Sequence, residues 1–190
     1  MKYSQRVIDE VTRLYPDNTK LHEMAESGDF YLADQIDWER THYPFKKILS
    51  IIDSSGDKAL ENITEFIKHE YDICEIYRMC AGEVDGCLKA GVNIRFSPEL
   101  VDKVKEVFIT EDPSFIQMAD SHDGFLLRCI DERRWNMPFN ALFADLASDN
   151  PLEVITEKCV RAKEEAELSS LIKEERYNAM QADTPVGSDN

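Results

Sequence analysis

Residues 150–172 read NPLEVITEKCVRAKEEAELSSLI and predict a long amphipathic helix near the carboxyl end of the chain. Asn150 can cap this helix, and Pro151 suits its first position because that position needs no backbone N–H. Glu157 stands four residues before Arg161, a spacing that favours an ion pair on the outer face. Apolar side chains recur at the spacing of one helix face, at Leu152, Ile155, Cys159, Ala162 and Ala166.

The same three- and four-residue spacing of apolar side chains recurs through most of the chain. Residues 4–14 and 58–80 show it clearly, and Ser97-Pro98 repeats the cap-then-proline start of a helix. The second of these helices is predicted to end near Ala81-Gly82. Only residues 92–96 alternate with the period of a strand. The sequence therefore predicts an all-α fold that is mostly helical, with at most one small β-hairpin near 92–96.

The clearest linker is Ser54-Ser55-Gly56-Asp57. It predicts an N-terminal helical subdomain over residues 1–53 and a main helical domain over residues 54–180 that includes the long C-terminal helix. Residues 181–190 are polar and contain proline and glycine, so we expect them to be a disordered tail.

The charge of the chain is strongly unbalanced. Its 190 residues include 38 Asp and Glu against 22 Lys and Arg, which gives a net charge of −16. Such a field repels nucleic acid and anionic membranes, so we expect direct contact with neither and favour a basic protein surface as partner. The sequence shows neither a signal-like amino terminus nor a run of roughly 18 apolar residues. We therefore expect a cytoplasmic protein, or one of the host cytoplasm if a phage encodes it.

The excess acid concentrates in two stretches that lack Lys and Arg. Carboxylates without nearby cations repel one another, and a basic surface that docks there offsets the repulsion. The alternative is an ordinary solvated acidic surface. The candidate partner-binding acids are Glu23, Glu26, Asp29, Asp34, Asp37 and Glu39 in the first stretch, and Glu111, Asp112, Asp120 and Asp123 in the second.

Two further candidates for partner binding are Arg134 and Trp135. Arginine and tryptophan are enriched among the residues that dominate protein interfaces. The alternative places Trp135 in the core at a corner between helices. Trp38, which precedes Tyr43 and Pro44, is predicted to be a core residue of a similar corner.

Catalytic and metal-binding patterns are absent from the sequence. It has no nucleophile elbow, phosphate-binding glycine loop or His-Glu-x-x-His motif, and Cys74, Cys80 and Cys87 lack paired zinc spacing. We expect no cofactor, no metal, no catalytic residue and reduced, structural cysteines. A small hydrolase that uses carboxylates with His69 or His122 remains an alternative.

Residues 14–32, which read LYPDNTKLHEMAESGDFYL, resemble the start of small proteins carried by phages and mobile elements of gut bacteria. That setting includes anti-CRISPR inhibitors, which are acidic proteins that bind an effector nuclease. The resemblance implies a non-enzymatic inhibitor that blocks a CRISPR effector nuclease, with nucleic-acid mimicry as one route, because such effectors hold nucleic acid in positively charged channels.

A different class of function remains open. The helix predicted over residues 151–180 could pair with a copy of itself, which would make the chain a structural or regulatory homo-oligomer of a phage or bacterium, such as a homodimer. Its apolar stripe lacks sustained heptads, however, and packing on the core of its own chain explains the stripe equally well.

Overall fold

The computed structural model describes residues 2–182, and helices dominate this part of the chain. It contains ten α-helices and one turn of 3-10 helix at Gly56–Lys58. The predicted all-α fold is confirmed. The α-helices are α1 (Gln5–Leu14), α2 (Thr19–Ser27), α3 (Leu32–Glu39), α4 (Phe45–Ser55), α5 (Ala59–Ala90), α6 (Pro98–Phe108), α7 (Pro113–Asp120), α8 (Phe125–Arg133), α9 (Phe139–Leu146) and α10 (Pro151–Ala182).

The hairpin considered near 92–96 does not form. Residues 92–97 are an irregular connection between α5 and α6, and no strand occurs anywhere in residues 2–182. A strand needs a neighbour for its backbone hydrogen bonds, and the helical segments on either side offer none. Phe96 is buried in the core that α6 helps to form and Ile94 packs against that core, so packing explains these two apolar positions, whereas Val92 is exposed.

Helix α5 is longer than the sequence indicates. The predicted end near Ala81-Gly82 is wrong, because the helix continues through Gly82 to Ala90 and ends at Gly91 with a left-handed φ of 66°. A glycine inside a helix costs only about 1 kcal/mol. Cys80 and Val84 flank it and belong to the buried core, and their packing offsets that cost.

The chain forms two compact units, and the boundary between the first two segments lies after Asp53. Unit 1 comprises residues up to Asp53 together with those from Ala147 onward, and unit 2 comprises Ser54–Leu146. The C-terminal helix thus groups with residues 1–53, whereas the sequence suggested that it belongs with residues 54–180. Of the predicted tail 181–190, residues 181 and 182 complete α10, and 183–190 lie outside the described residues.

Unit 1 is held together by α10, which packs against α1 and α3. Leu168 and Ile172 of α10 share one buried cluster with residues of α1, α2 and α3. The apolar stripe of α10 was readable from the sequence, but the helices that it covers were not, because periodicity reports a buried face without reporting its partner.

Unit 2 is built around α5, which contacts α6, α8 and α9. Its core includes a stacked pair of rings, Phe108 of α6 and Phe115 of α7, with centroids 4.3 Å apart. Both α6 and α7 start with a capping side chain followed by proline: Ser97 accepts a hydrogen bond from the Leu100 N–H, and Asp112 from the Ser114 N–H. No helix in residues 2–182 is long and apolar enough to cross a membrane.

Candidate functional site

The first acidic stretch, residues 21–39, forms a corner of two helices in unit 1, here called the acidic segment. Asn18 caps α2 by accepting a hydrogen bond from the Leu21 N–H, and α2 ends at Gly28, whose φ of 73° suits a residue without Cβ. Asp29 then accepts a hydrogen bond from the Tyr31 N–H, 2.8 Å away, and turns the chain into α3. One of the six candidate acids is therefore used to shape the corner.

Two other acids of this segment are neutralised by α10. Lys173 Nζ lies 2.5 Å from a carboxylate oxygen of Asp37, and Arg176 lies 3.6 Å from one of Asp34. Burial raises the pKa of Asp37, but hydrogen bonds to its carboxylate and the charge of Lys173 outweigh it and hold that pKa below its usual value. The acidic segment itself contains no Lys or Arg, but two basic residues of α10 lie beside it in the folded chain.

Three acids of the segment stay exposed without a cationic partner among the described residues. Glu23 and Glu26 project from α2 one turn apart, and Glu39 ends α3, where its carboxylate accepts a hydrogen bond from the Gln35 side chain. None of these three carboxylates forms a salt bridge with a Lys or Arg in the described part of the chain, and all three face solvent. They are the part of the first stretch that is free to attract a basic partner.

The acids of the second stretch, in unit 2, mostly serve that unit itself. Asp120 pairs with Lys105 at 2.7 Å. Asp112 caps α7, and its hydrogen bonds with Ser114 lower the pKa of its carboxyl group. Asp123 accepts a hydrogen bond from the Phe125 N–H at the start of α8, 2.9 Å away. These contacts explain the acids without a partner protein.

Glu111, the remaining acid of the second stretch, belongs to a charged cluster. Its carboxylate contacts His69 Nε2 and lies 3.3 Å from the Arg133 guanidinium. Arg133 also reaches Glu70, at 3.2 Å, which is only 3% exposed. A hydrolase could in principle use such a cluster of His and carboxylates. Here its members pair with one another, which is typical of a structural ion network.

Arg134 and Trp135 lie where α8 ends. The Arg134 guanidinium stacks on the Tyr77 ring at 4.2 Å and pairs with Asp131 at 2.7 Å. Trp135 packs edge-on against Phe66 with ring centroids 5.9 Å apart and stays 39% exposed. Both side chains have internal contacts that account for their position, so their role in partner binding stays a prediction.

Two of the cysteines, Cys80 and Cys159, are not activated thiols. Cys80 and Cys159 are fully buried, and burial raises the pKa of each thiol to about 12. A nucleophilic cysteine needs the opposite shift, since the thiolate is the reactive species. Within residues 2–182, no three His, Cys, Asp or Glu side chains are placed to hold a metal ion together.

This burial gives a testable expectation for thiol reactivity. In native protein at about pH 8, iodoacetamide should leave Cys80 and Cys159 unmodified while it labels the partly exposed Cys87 and Cys129. All four should react in denaturant, and peptide mass spectrometry measures the extent at each. Rapid native labelling of Cys159 would contradict the packing described for α10.

A groove of about 840 Å³ lies within unit 1, bounded by α1, α4 and α10. The sequence gave no signal for it, because the residues that line it come from three distant segments. Three basic and three acidic side chains share its lining, so charge selects no ligand class. These are Arg6, Lys46, Lys163, Asp53, Glu167 and Glu174.

The prediction made for Trp38 from the sequence is wrong. This residue was predicted to be core, but it is 82% exposed on the outer face of α3, whereas Tyr43 is buried. Helical spacing from the buried Leu32 and Ile36 would have placed Trp38 on the opposite side, and that signal was available in the sequence. The acidic segment therefore carries a large exposed aromatic side chain among its acids.

No protein-family model, no curated protein and no solved structure matches this chain. Evidence on its function therefore comes from its fold and from the surface chemistry of its own residues.

Proposed function

We propose that this protein is a non-enzymatic binding protein that docks on a basic surface of a nucleic-acid-handling protein and inhibits it. The acidic segment is the docking region. The observation that carries the proposal is the exposed, unpaired state of Glu23, Glu26 and Glu39, in contrast to the second stretch, whose acids cap helices or form ion pairs within unit 2.

A CRISPR effector nuclease is the partner class that two arguments favour. The net charge of −16 suits a positively charged nucleic-acid channel, and the resemblance of residues 14–32 to phage and mobile-element proteins covers about two thirds of the acidic segment, residues 21–32 of 21–39. Mimicry in this form is local: Asp34 and Asp37 are screened by α10, so the charge offered to a channel comes mainly from α2 and the end of α3.

A homodimer formed through α10 has less support. Leu168 and Ile172, which would supply the apolar seam, are already buried against the N-terminal helices of the same unit. A helix whose apolar stripe is used in its own core has no comparable stripe left for a copy.

Removing two unpaired charges should slow binding. We expect Glu23→Gln with Glu26→Gln to lower the association rate with a susceptible effector nuclease by roughly three- to tenfold, because steering depends on charge near the contact. Raising salt from about 0.05 to about 0.5 M should weaken the wild-type protein and reduce this difference. Stopped-flow or surface-binding kinetics, together with inhibition of target cleavage, measure both effects over a panel of purified effectors.

The control removes the same two charges from unit 2. Glu61 and Glu65 are exposed on one face of α5 and have no cationic partner among the described residues. The Glu61→Gln, Glu65→Gln protein has the same net charge as the test variant and should bind like wild type. Equal slowing by both pairs would show that net charge, and not the acidic segment, drives association, which would contradict the assigned docking region.

A further inference from the structure

The outer face of α3 has two aromatic anchors. Tyr31 precedes the helix and Trp38 lies seven residues later, so both point away from the buried Leu32 and Ile36. They are 66% and 82% exposed, and about 10 Å separates them along the helix axis. Asp34 lies between them on the same face. This set, Tyr31, Asp34 and Trp38, is called the docking face below.

Trp38 is unusual because, within residues 2–182, its side chain is left 82% exposed. The nearby Phe30, by contrast, has the Arg176 guanidinium stacked 4.5 Å from its ring and the Tyr31 ring edge-on at 5.5 Å. No ring or cation contact involves Trp38 within the described part of the chain. Tryptophan and tyrosine supply large apolar area with few rotatable bonds, and they dominate binding hot spots for that reason.

We propose that the docking face receives a basic amphipathic helix of the partner protein. Its apolar stripe would pack on Tyr31 and Trp38, and its Lys and Arg side chains would lie beside Glu39. They would also reach the outer side of Asp34, whose side chain stays 58% exposed although it pairs with Arg176. This inference rests on the proposed function for the basic character of the partner. It adds that the contact is helix against helix and is anchored by Trp38, so binding requires apolar side chains as well as charge.

Charge complementarity selects this occupant over the two other candidates. A second copy would bring Asp34 and Glu39 against the same acids, and like charges placed together disfavour the pair. An anionic membrane surface repels the acidic segment in the same way. A helix with a basic rim and an apolar stripe satisfies both the acids and the aromatic rings.

The experiment uses two synthetic helical peptides of equal length and charge. One has Lys with a Leu stripe, and the other has Gln in place of every Leu. The full-length protein with Trp135→Phe keeps Trp38 as its only tryptophan, since the chain has two. We expect the Leu peptide to shift the Trp38 emission to shorter wavelength and to bind at least about tenfold more tightly than the Gln peptide, because only it buries the ring.

Variants of the full-length protein then locate the contact. Trp38→Ala should weaken binding of the labelled Leu peptide by about 30-fold, as loss of an interface hot spot does. Leu88→Ala, which removes an exposed apolar side chain from α5 in unit 2, should leave the affinity unchanged. Fluorescence anisotropy of the peptide measures both affinities without using tryptophan emission.

Equal affinity for the two peptides, or an unchanged affinity in Trp38→Ala, overturns the docking-face proposal. Such a result leaves the proposed function intact if Glu23→Gln with Glu26→Gln still slows binding of an effector nuclease. A blue shift on concentrating the Trp135→Phe protein alone identifies a second copy as the occupant, and also overturns the proposal. Conversely, tight Leu-peptide binding without any effector binding supports the docking face and rejects the nuclease partner.

Discussion

Replacing Arg133 with methionine is expected to lower the free energy of unfolding by about 3 kcal/mol. The Glu70 carboxylate is almost fully buried, and one of its oxygens has no hydrogen-bond partner. Among residues 2–182, Arg133 is the one cation that pairs with it. Methionine keeps the apolar stem of arginine but leaves a buried charge uncompensated. Urea unfolding followed by circular dichroism measures the loss.

A matched control comes from the same helix. Arg128 pairs with Glu132 on the exposed side of α8, and Arg128→Met should lower the free energy of unfolding far less than Arg133→Met does, because solvent screens that pair. Adding Glu70→Met to Arg133→Met should restore most of the lost stability, since neither buried charge then remains. If Arg133→Met and Arg128→Met cost the same, the ion network is not what stabilises this end of unit 2.

The positions where helices begin were readable from the sequence because they depend on neighbouring residues. Ser97-Pro98 starts α6, and its serine hydroxyl accepts the hydrogen bond expected of a cap. Asn18 does the same for α2, and Gly28 ends that helix in the left-handed conformation. Such signals are local, and they hold whatever the rest of the chain does.

Features that depend on distant residues were not readable. The continuation of α5 through Gly82 and the irregular course of residues 92–97 are both decided by what packs against them. The placement of α10 in unit 1 also depends on distant residues. The apolar stripe of α10 predicts that one face of the helix is buried, and only the folded chain shows that α1 and α3 cover that face.

In the candidate site, too, local features could be predicted from the sequence and contacts between distant residues could not. The sequence identified the acids of both stretches, but it could not show that Lys173 and Arg176, more than 130 residues away, neutralise Asp37 and Asp34. It also could not show that Arg133 serves Glu70 and Glu111 together. The exposure of Trp38, by contrast, follows from the sequence itself. Its position opposite Ile36 on the helix predicts an exposed ring.

A buried carboxylate in unit 1 gives the second large effect. Glu165 is almost fully buried: one oxygen accepts a hydrogen bond from the Thr41 N–H at 2.8 Å, and the other from Arg161 at 2.9 Å. Arg161 in turn donates to the Leu14 carbonyl at 2.6 Å. This chain of contacts ties α10 to the end of α1 and to the loop that follows α3.

Glu165→Ala should therefore lower the free energy of unfolding by about 2 to 3 kcal/mol, because it leaves the Thr41 N–H without its acceptor and frees Arg161. Glu164→Ala is the matched control: it makes the same change one residue earlier, where the side chain is partly exposed and pairs with Arg13. Helix propensity changes equally in both variants, so their difference reports the buried contacts of Glu165 less the small contribution of the exposed Glu164–Arg13 pair. Glu165→Gln keeps one acceptor oxygen and should fall between them. Equal unfolding midpoints for the two alanine variants would show that the loop after α3 is held by packing and not by this carboxylate.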